Sequence, residues 1–137
     1  MYIKFLLIAL IIFLVSLTRI FPHPPNFTPI LALALFGGAY LPNKKTSFLI
    51  PISAMFLSDL ILGFHSQIYG VYGCILILSF LGRTIQNKIS IGNLAITGVI
   101  GSLIFFIITN FSVWLSGSIY PLTTTGLIEC YTMAIPF

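Results

Sequence analysis

The sequence predicts an all-α integral membrane protein, a multi-span helical bundle of five spans and one short outer helix with a cytoplasmic N-terminus. Only 6% of the 137 residues are charged and 58% are hydrophobic, whereas a soluble domain carries about 25% charged residues. Several apolar segments also approach or exceed the ~18 residues of a membrane-spanning helix. We therefore expect a single membrane domain over residues 1–137, embedded in a lipid bilayer.

The first predicted helix is the apolar run 2–18. Its end lacks a small-residue cleavage site of the A-x-A type, so it is a retained helix and not a signal peptide. The connection 21–29 contains four prolines, which prevent a helix and favour an extended chain. Thr28 and Pro29 suit the N-cap and first position of the helix that follows.

The second and third predicted helices cover residues 30–41 and 47–62. The second is short and rich in small residues, and Ala34 and Gly38 lie four apart on one face, which permits close approach of another helix. The third is apolar enough to span a membrane, and Gly63 is its predicted C-terminal cap.

Two more helices and a short outer helix complete the prediction. The turn after the third helix is too short for anything but an antiparallel connection to a fourth helix over 68–81, with Tyr69 and Tyr72 as interfacial aromatics. The fifth helix, 91–115, is the longest apolar run. A short helix of mixed polarity, 126–134, follows outside the membrane.

The basic residues predict the orientation. If each apolar run crosses once, one side receives Lys4, Lys44, Lys45, Arg83 and Lys88, and the other receives Arg19. Cytoplasmic loops are enriched in Lys and Arg, so the N-terminus is predicted to be cytoplasmic. These charges form no stripe interleaved with aromatics, and we expect no nucleic-acid partner.

Asp59 is the residue on which the candidate site depends. A carboxylate within an apolar span costs roughly 3 kcal/mol to insert and is a functional candidate by default. Asp59 and Asn110 each lie about four residues, or ~6 Å, from the outer ends of their helices, and Trp114 shares a face with Asn110. His23 and Glu129 fall on the same outer side. These five residues are the predicted solute-binding set.

Each of these residues also has a structural interpretation. Asp59 could pair with Arg19 or cap a neighbouring helix, and a binding role and a pairing role remain open. Asn110 and Trp114 could be packing and interfacial anchors. His23 could be a structural loop residue, and Glu129 could be a solvated carboxylate.

Catalysis is not predicted. The sequence contains no H-E-x-x-H, P-loop, G-x-S-x-G or D-x-D motif. Two acidic residues in the whole chain leave little for acid–base or two-metal chemistry. Cys74 and Cys130 have no metal-ligand spacing. We expect no catalytic residues, no cofactor and no bound metal.

Four segments carry a resemblance to a known family: 19–29 (RIFPHPPNFTP), 34–40 (ALFGGAY), 56–65 (FLSDLILGFH) and 110–114 (NFSVW). They resemble a family of small, experimentally uncharacterised bacterial membrane proteins described as candidate transport proteins. That family is loosely similar to the substrate-binding (S) components of energy-coupling factor vitamin transporters, which have six helices and a ligand site open to the outside. The resemblance implies a multi-pass transport protein of the cytoplasmic (inner) membrane. Family members continue beyond residue 137 with another apolar span, so we expect this chain to lack a final span.

The first functional hypothesis is a transport component that binds a small polar solute at the outer ends of the third and fifth helices. With no nucleotide site, it would need an energy-coupling membrane partner. Small-residue faces at Ala34/Gly38 and Gly98/Ser102 would serve docking or packing within the chain. The second hypothesis is a non-transporting scaffold or assembly subunit.

A third hypothesis is a metal-ion or proton pathway. It would use the four titratable residues predicted on the outer side, namely His23, Asp59, His65 and Glu129.

Overall fold

Helices form the regular secondary structure of residues 2–22 and 29–136, the parts of the chain that the structure, a computed structural model, describes. The α-helices there are α1 (Tyr2–Ser16), α2 (Ile30–Tyr40), α3 (Lys44–Leu62), α4 (Ile68–Thr84), α5 (Ile91–Leu115) and α6 (Thr124–Ala134). A 3₁₀ turn, Leu17–Ile20, continues α1. These two described ranges contain no strand. The all-α prediction is confirmed.

The ends of α3 show how local chemistry sets its length. The helix begins at Lys44, three residues before the predicted start, directly after the extended residue Asn43. It ends where Gly63 takes φ 91°, a backbone conformation that favours glycine. The Gly63 N–H donates to the Asp59 carbonyl oxygen at 2.8 Å. The predicted glycine cap is confirmed.

The starts of α2 and α6 also depend on capping. Pro29 occupies the N-cap position of α2, while the predicted cap Thr28 lies outside the described residues. At α6 the Thr123 hydroxyl accepts the Gly126 N–H at 3.1 Å, so that helix begins two residues before the predicted position. A side-chain acceptor at this position satisfies one of the backbone donors that a helix start leaves free.

The short helix α2 occupies the centre of the bundle, packed against α1, α3, α4 and α5. Its closest approach is to α4. A Cβ atom on Gly38 would overlap the Ser79 carbonyl oxygen, and one on Gly82 would overlap the Leu35 carbonyl oxygen. The two backbones therefore touch, and the Ala34/Gly38 face serves packing within the chain.

The second predicted small-residue face is different. A Cβ atom on Gly98 would meet no heavy atom within 4 Å, and Ser102 is exposed. The close helix contact of α5 uses Gly101 instead, which faces the Leu78 side chain at the level of the main core. The face at Gly98/Ser102 is left uncovered by the chain.

Hydrogen bonds show that α1 to α4 alternate in direction. Arg19 after α1 meets Asp59 near the end of α3, and the Leu41 carbonyl after α2 accepts from the Gln86 side chain after α4 at 2.8 Å. At one end of the bundle, the end of α3 meets the start of α4, where Asp59 accepts a bond from Tyr72 at 2.8 Å. At the other end, Arg83 donates to Ser47 at 3.0 Å and joins the end of α4 to the start of α3. We call these the Asp59 end and the Arg83 end.

Three helices in the described part of the chain are long and apolar enough to cross a membrane: Tyr2–Ile20, Lys44–Leu62 and Ile91–Leu115. This indicates a membrane protein. α4 has 17 residues. α2 has 11 residues, a length of about 16 Å against a hydrocarbon core of about 30 Å. Little of the first and last of the long helices is buried in the isolated chain, as expected of helices that face lipid.

Candidate functional site

Asp59 is fully buried and both of its carboxylate oxygens accept hydrogen bonds. The Arg19 Nη1 atom lies 2.7 Å from Oδ1 in a salt bridge. The Tyr72 hydroxyl donates to Oδ2 at 2.8 Å. Asp59 lies one turn before the glycine that ends α3, so its side chain meets the 3₁₀ turn after α1 and the first turns of α4.

Arg19 is held by a second contact from the same turn of α3. Its Nη1 atom also donates to the Ser58 hydroxyl oxygen. The Ser58 hydroxyl itself donates to the Met55 carbonyl at 2.8 Å, which leaves the oxygen lone pairs free to accept. The Arg19 side chain is 13% exposed and Asp59 is not exposed at all. The structural alternative, that Asp59 pairs with Arg19, is therefore the observed arrangement.

The energetic meaning of this network follows from its burial. A buried ion pair adds little net stability, because desolvation offsets the attraction, but removing one partner leaves an uncompensated buried charge. Here the Arg19 Nη1 atom and the Tyr72 hydroxyl satisfy both oxygens of the carboxylate, and the three side chains join three helical elements. The network therefore ties these helical elements together and also fixes the position of the Arg19 guanidinium.

A cavity of about 540 Å³ lies beside Arg19. Its volume is within the roughly 300–1,000 Å³ of small-molecule sites. The polar residues on its wall are Arg19, His65, Gln67, Ser102, Thr109 and Asn110. The rest of the wall is apolar and comes from α2, α3, α4, α5 and α6. Such a mixture of an apolar wall with a few polar groups is typical of ligand pockets.

Asn110 is the predicted site residue that lines this cavity directly. Its amide nitrogen donates to the Phe106 carbonyl at 2.8 Å, and no donor in the described part of the chain reaches its amide oxygen. Thr109 beside it donates to the Phe105 carbonyl at 2.7 Å and can still accept. Asn110 and Thr109 thus present acceptor capacity from α5.

Asp59 reaches the cavity only through Arg19, since Asp59 itself is not part of the wall. The structure therefore brings Asp59 and Asn110 to the same end of the bundle, with Asn110 at the cavity and Asp59 behind it. The carboxylate faces the interior of the bundle and not lipid.

Trp114 and Glu129 lie away from the cavity wall. The Trp114 indole N–H donates to the Pro121 carbonyl at 3.0 Å, and its ring packs against Phe111 with centroids 5.4 Å apart. These contacts hold the segment that leads into α6. Glu129 is exposed on α6. His23 lies outside the described residues.

Helix α6 closes one side of the cavity through Ala134 and is attached to α5 by two side-chain bonds. The Tyr131 hydroxyl donates to the Ile107 carbonyl at 2.6 Å. The Cys130 thiol donates to the Asn110 carbonyl at 3.3 Å. Burial raises the pKa of the Cys130 thiol, which keeps it protonated as the donor.

Several lining residues carry no distinctive sequence signal. Gln67 and Thr109 are single polar residues in a turn and a span. His65 entered the prediction only through the ion-pathway hypothesis.

Tyr72 was expected at the membrane interface, whereas its hydroxyl binds Asp59. One signal would have found it: Asp59 and Tyr72 are about equally far from the turn that joins their helices.

No group of three or more His, Cys, Asp or Glu side chains in the described ranges is arranged to hold a metal ion. His65 lies at the cavity while Glu129 is exposed on α6.

Comparisons with known proteins give one match. A family model, described as a family of unknown function, matches residues 1–137. No curated protein and no solved structure matches the chain.

Proposed function

The chain belongs to the DUF6580 family, and from its cavity we propose that it is a membrane transport component that binds a small polar solute. One observation carries the proposal: a cavity of about 540 Å³ opens beside a buried ion pair and is lined by the amide of Asn110. Its volume lies in the range of small-molecule sites, which favours solute binding over a role in helix packing alone.

We infer that the chain crosses the inner membrane five times with a cytoplasmic N-terminus. The alternation of α1 to α4 supports this topology, because each consecutive helix returns the chain to the opposite end. The Arg83 end carries Lys44, Lys45 and Arg83 at helix ends, as a cytoplasmic face does. The cavity then opens toward the outer side. α2, with 11 residues, is the shortest of the five proposed crossings.

Roles in the proposed site follow from position. Asn110 contacts the solute, Arg19 forms the charged part of the wall, and Asp59 positions Arg19. Trp114 holds the segment that leads into α6. Glu129 and His23 stay in the proposal as outer residues that a solute meets before it enters.

An energy-coupling membrane partner is part of the proposal. The sequence contains no nucleotide-binding motif, so the chain by itself can bind a solute but has no means to drive it. The uncovered face of α5 around Gly98 is the candidate surface for that partner, whereas Ser102 lines the cavity.

The first test is identification of a bound solute by native mass spectrometry of the detergent-purified chain, followed by ligand-induced thermal stabilisation. Asn110→Leu should keep the fold and lose the stabilisation, because it removes the amide from the cavity wall. Asn87→Leu, an exposed amide at the Arg83 end, is the matched control and should leave stabilisation unchanged. Equal responses of the two variants, or a protein that binds nothing, would contradict the proposal.

The second candidate function is a scaffold, which the Arg19–Asp59–Tyr72 network favours because it ties three helical elements together. Asp59→Asn separates the two functions. If the protein is a transport component, this variant folds and loses solute binding or uptake, since Arg19 is no longer held by a charge. In either case the variant loses thermal stability, because the Arg19 guanidinium is left without its partner. The ligand effect separates the two functions, since a scaffold shows no ligand-induced stabilisation in the wild-type protein or in the variant.

A further inference from the structure

The chemistry of the cavity wall identifies the class of its ligand. We propose that the ligand is a small organic anion, a carboxylate attached to an apolar body, bound by Arg19. This inference rests on the proposed function, because it assigns the occupant of the same cavity.

The first step is the charge on the wall. Arg19 is the charged residue among the described residues that line the cavity. The carboxylate of Asp59 is fully buried behind it, and both carboxylate oxygens are already bonded. The ion pair is neutral as a whole, yet its positive member is the one at the cavity. A cation would meet like charge there, and an anion would meet opposite charge.

The second step is the inventory of donors on Arg19. A guanidinium carries five N–H groups, two on each Nη atom and one on Nε. The Nη1 atom is used by Asp59 and Ser58. The Nε and Nη2 donors have no acceptor in the described part of the chain. Together they form the planar edge that binds a carboxylate through two parallel hydrogen bonds.

The third step is the rest of the wall. Phe105, Phe106, Val71, Met55 and Leu31 present apolar surface to the cavity. At about 540 Å³, the space is far larger than an inorganic anion needs. An apolar body therefore accompanies the anionic group. The amide oxygen of Asn110 is an acceptor, so it suits a donor group on that body and not the carboxylate. Gln67 supplies a further hydrogen-bonding group.

Two sources share this chemistry, a water-soluble carboxylate and a fatty acid from the bilayer. We assign the shared class, an amphipathic carboxylate, and the experiment distinguishes the sources. A soluble acid enters from the outer side, whereas a fatty acid reaches the cavity between the helices.

The test uses the full chain in detergent with matched probes of one skeleton. These are 3-phenylpropionate, 3-phenylpropanamide and 3-phenylpropylamine, with the corresponding indole-3-propyl series as a larger skeleton. Carboxylates should raise the melting temperature, and the amides and amines should not do so at equal concentration. Native mass spectrometry of the untreated protein identifies what co-purifies.

The variant arm removes Arg19 without leaving a buried charge. Arg19→Gln combined with Asp59→Asn keeps the site neutral and should weaken carboxylate binding about tenfold to a hundredfold, the range of a charge-assisted bond. Arg83→Gln removes the other arginine of the chain and should leave carboxylate binding unchanged.

The outcomes separate this inference from the proposed function. If the amide or amine binds as well as the acid, or if a neutral or cationic solute co-purifies and no acid binds, the anion class is overturned and solute binding stands. If a fatty acid co-purifies and soluble acids do not displace it, the carboxylate class stands and the solute-transport proposal fails. If nothing binds, both fail.

Discussion

Two arginines reach a serine of α3 from opposite ends of the bundle, and their surroundings differ. Arg19 contacts Ser58 and pairs with a fully buried carboxylate beside a cavity. Arg83 donates to Ser47 at 3.0 Å and to the Pro42 carbonyl at 3.5 Å, at a partly exposed helix end. Arg83 thus joins the end of α4 to the start of α3, whereas Arg19 places a fixed charge beside a cavity.

This difference shows in which surroundings a charged side chain can contribute to ligand binding. At the Arg83 end the guanidinium binds the Ser47 hydroxyl and the Pro42 carbonyl and remains in contact with solvent, so its field is screened. At the Asp59 end the surroundings are apolar, and electrostatic interactions are stronger. Four experiments test the comparison, in order of expected effect.

Arg19→Met should have the largest effect on stability. It leaves the Asp59 carboxylate buried without its cation, which costs about 3–5 kcal/mol. Arg83→Met, the matched control, should cost about 1 kcal/mol, since it removes hydrogen bonds at a partly exposed site. Chemical unfolding in detergent measures both.

A double variant, Arg19→Met with Asp59→Leu, should recover most of the loss because no unpaired charge remains. Equal losses for the two single arginine variants would show that the two ends do not differ in the way described.

Gly38→Ala should destabilise the protein by about 1–3 kcal/mol, because its Cβ would overlap the Ser79 carbonyl oxygen at the contact of α2 with α4. Gly98→Ala should be neutral or stabilise by up to about 1 kcal/mol, since it adds a better helix former in open space. Thermal unfolding compares the pair. If both changes stabilise the protein, the two backbones do not touch.

Tyr72→Phe should cost about 1–2 kcal/mol, because one oxygen of the buried Asp59 loses its donor. Tyr69→Phe, an exposed position on the same helix, should change stability by less than about 0.5 kcal/mol. The melting temperatures of the two variants give the comparison. A similar response at both positions would place the Tyr72 hydroxyl outside the network.

Trp114→Phe should have the smallest effect, about 0.5–1 kcal/mol, from loss of the bond to the Pro121 carbonyl. Circular dichroism follows unfolding, because the variant has no tryptophan left for fluorescence. Solute-induced stabilisation should persist, since Trp114 does not line the cavity. Loss of that stabilisation would return Trp114 to the binding set.

The sequence predicted the parts of the fold that depend on local chemistry. Apolar length located the helices, Gly63 ended α3 as expected, and the pairing of Arg19 with Asp59 was one of two interpretations of a carboxylate in a span. The helices and the glycine cap follow from composition and from neighbouring residues. Arg19 and Asp59 are 40 residues apart, so their pairing stayed one of the open interpretations.

The cavity could not be predicted, because its wall depends on how each helix is rotated about its axis. Asn110 and Trp114 are one turn apart and share a face, yet only Asn110 lines the cavity. The Trp114 indole N–H instead donates to the Pro121 carbonyl, which lies in the segment after α5. Such a contact depends on how two segments lie relative to each other in space, which neighbouring residues in the sequence do not show.

The start of α2 sets one boundary of the cavity. Ile30 and Leu31, its first two helical residues, form part of the cavity wall. Pro29 stands at the N-cap, so the position of one proline decides how far the central helix extends into the space beside Arg19. Moving that proline by one helical turn would change the volume of the cavity and leave the pairing of Arg19 with Asp59 intact.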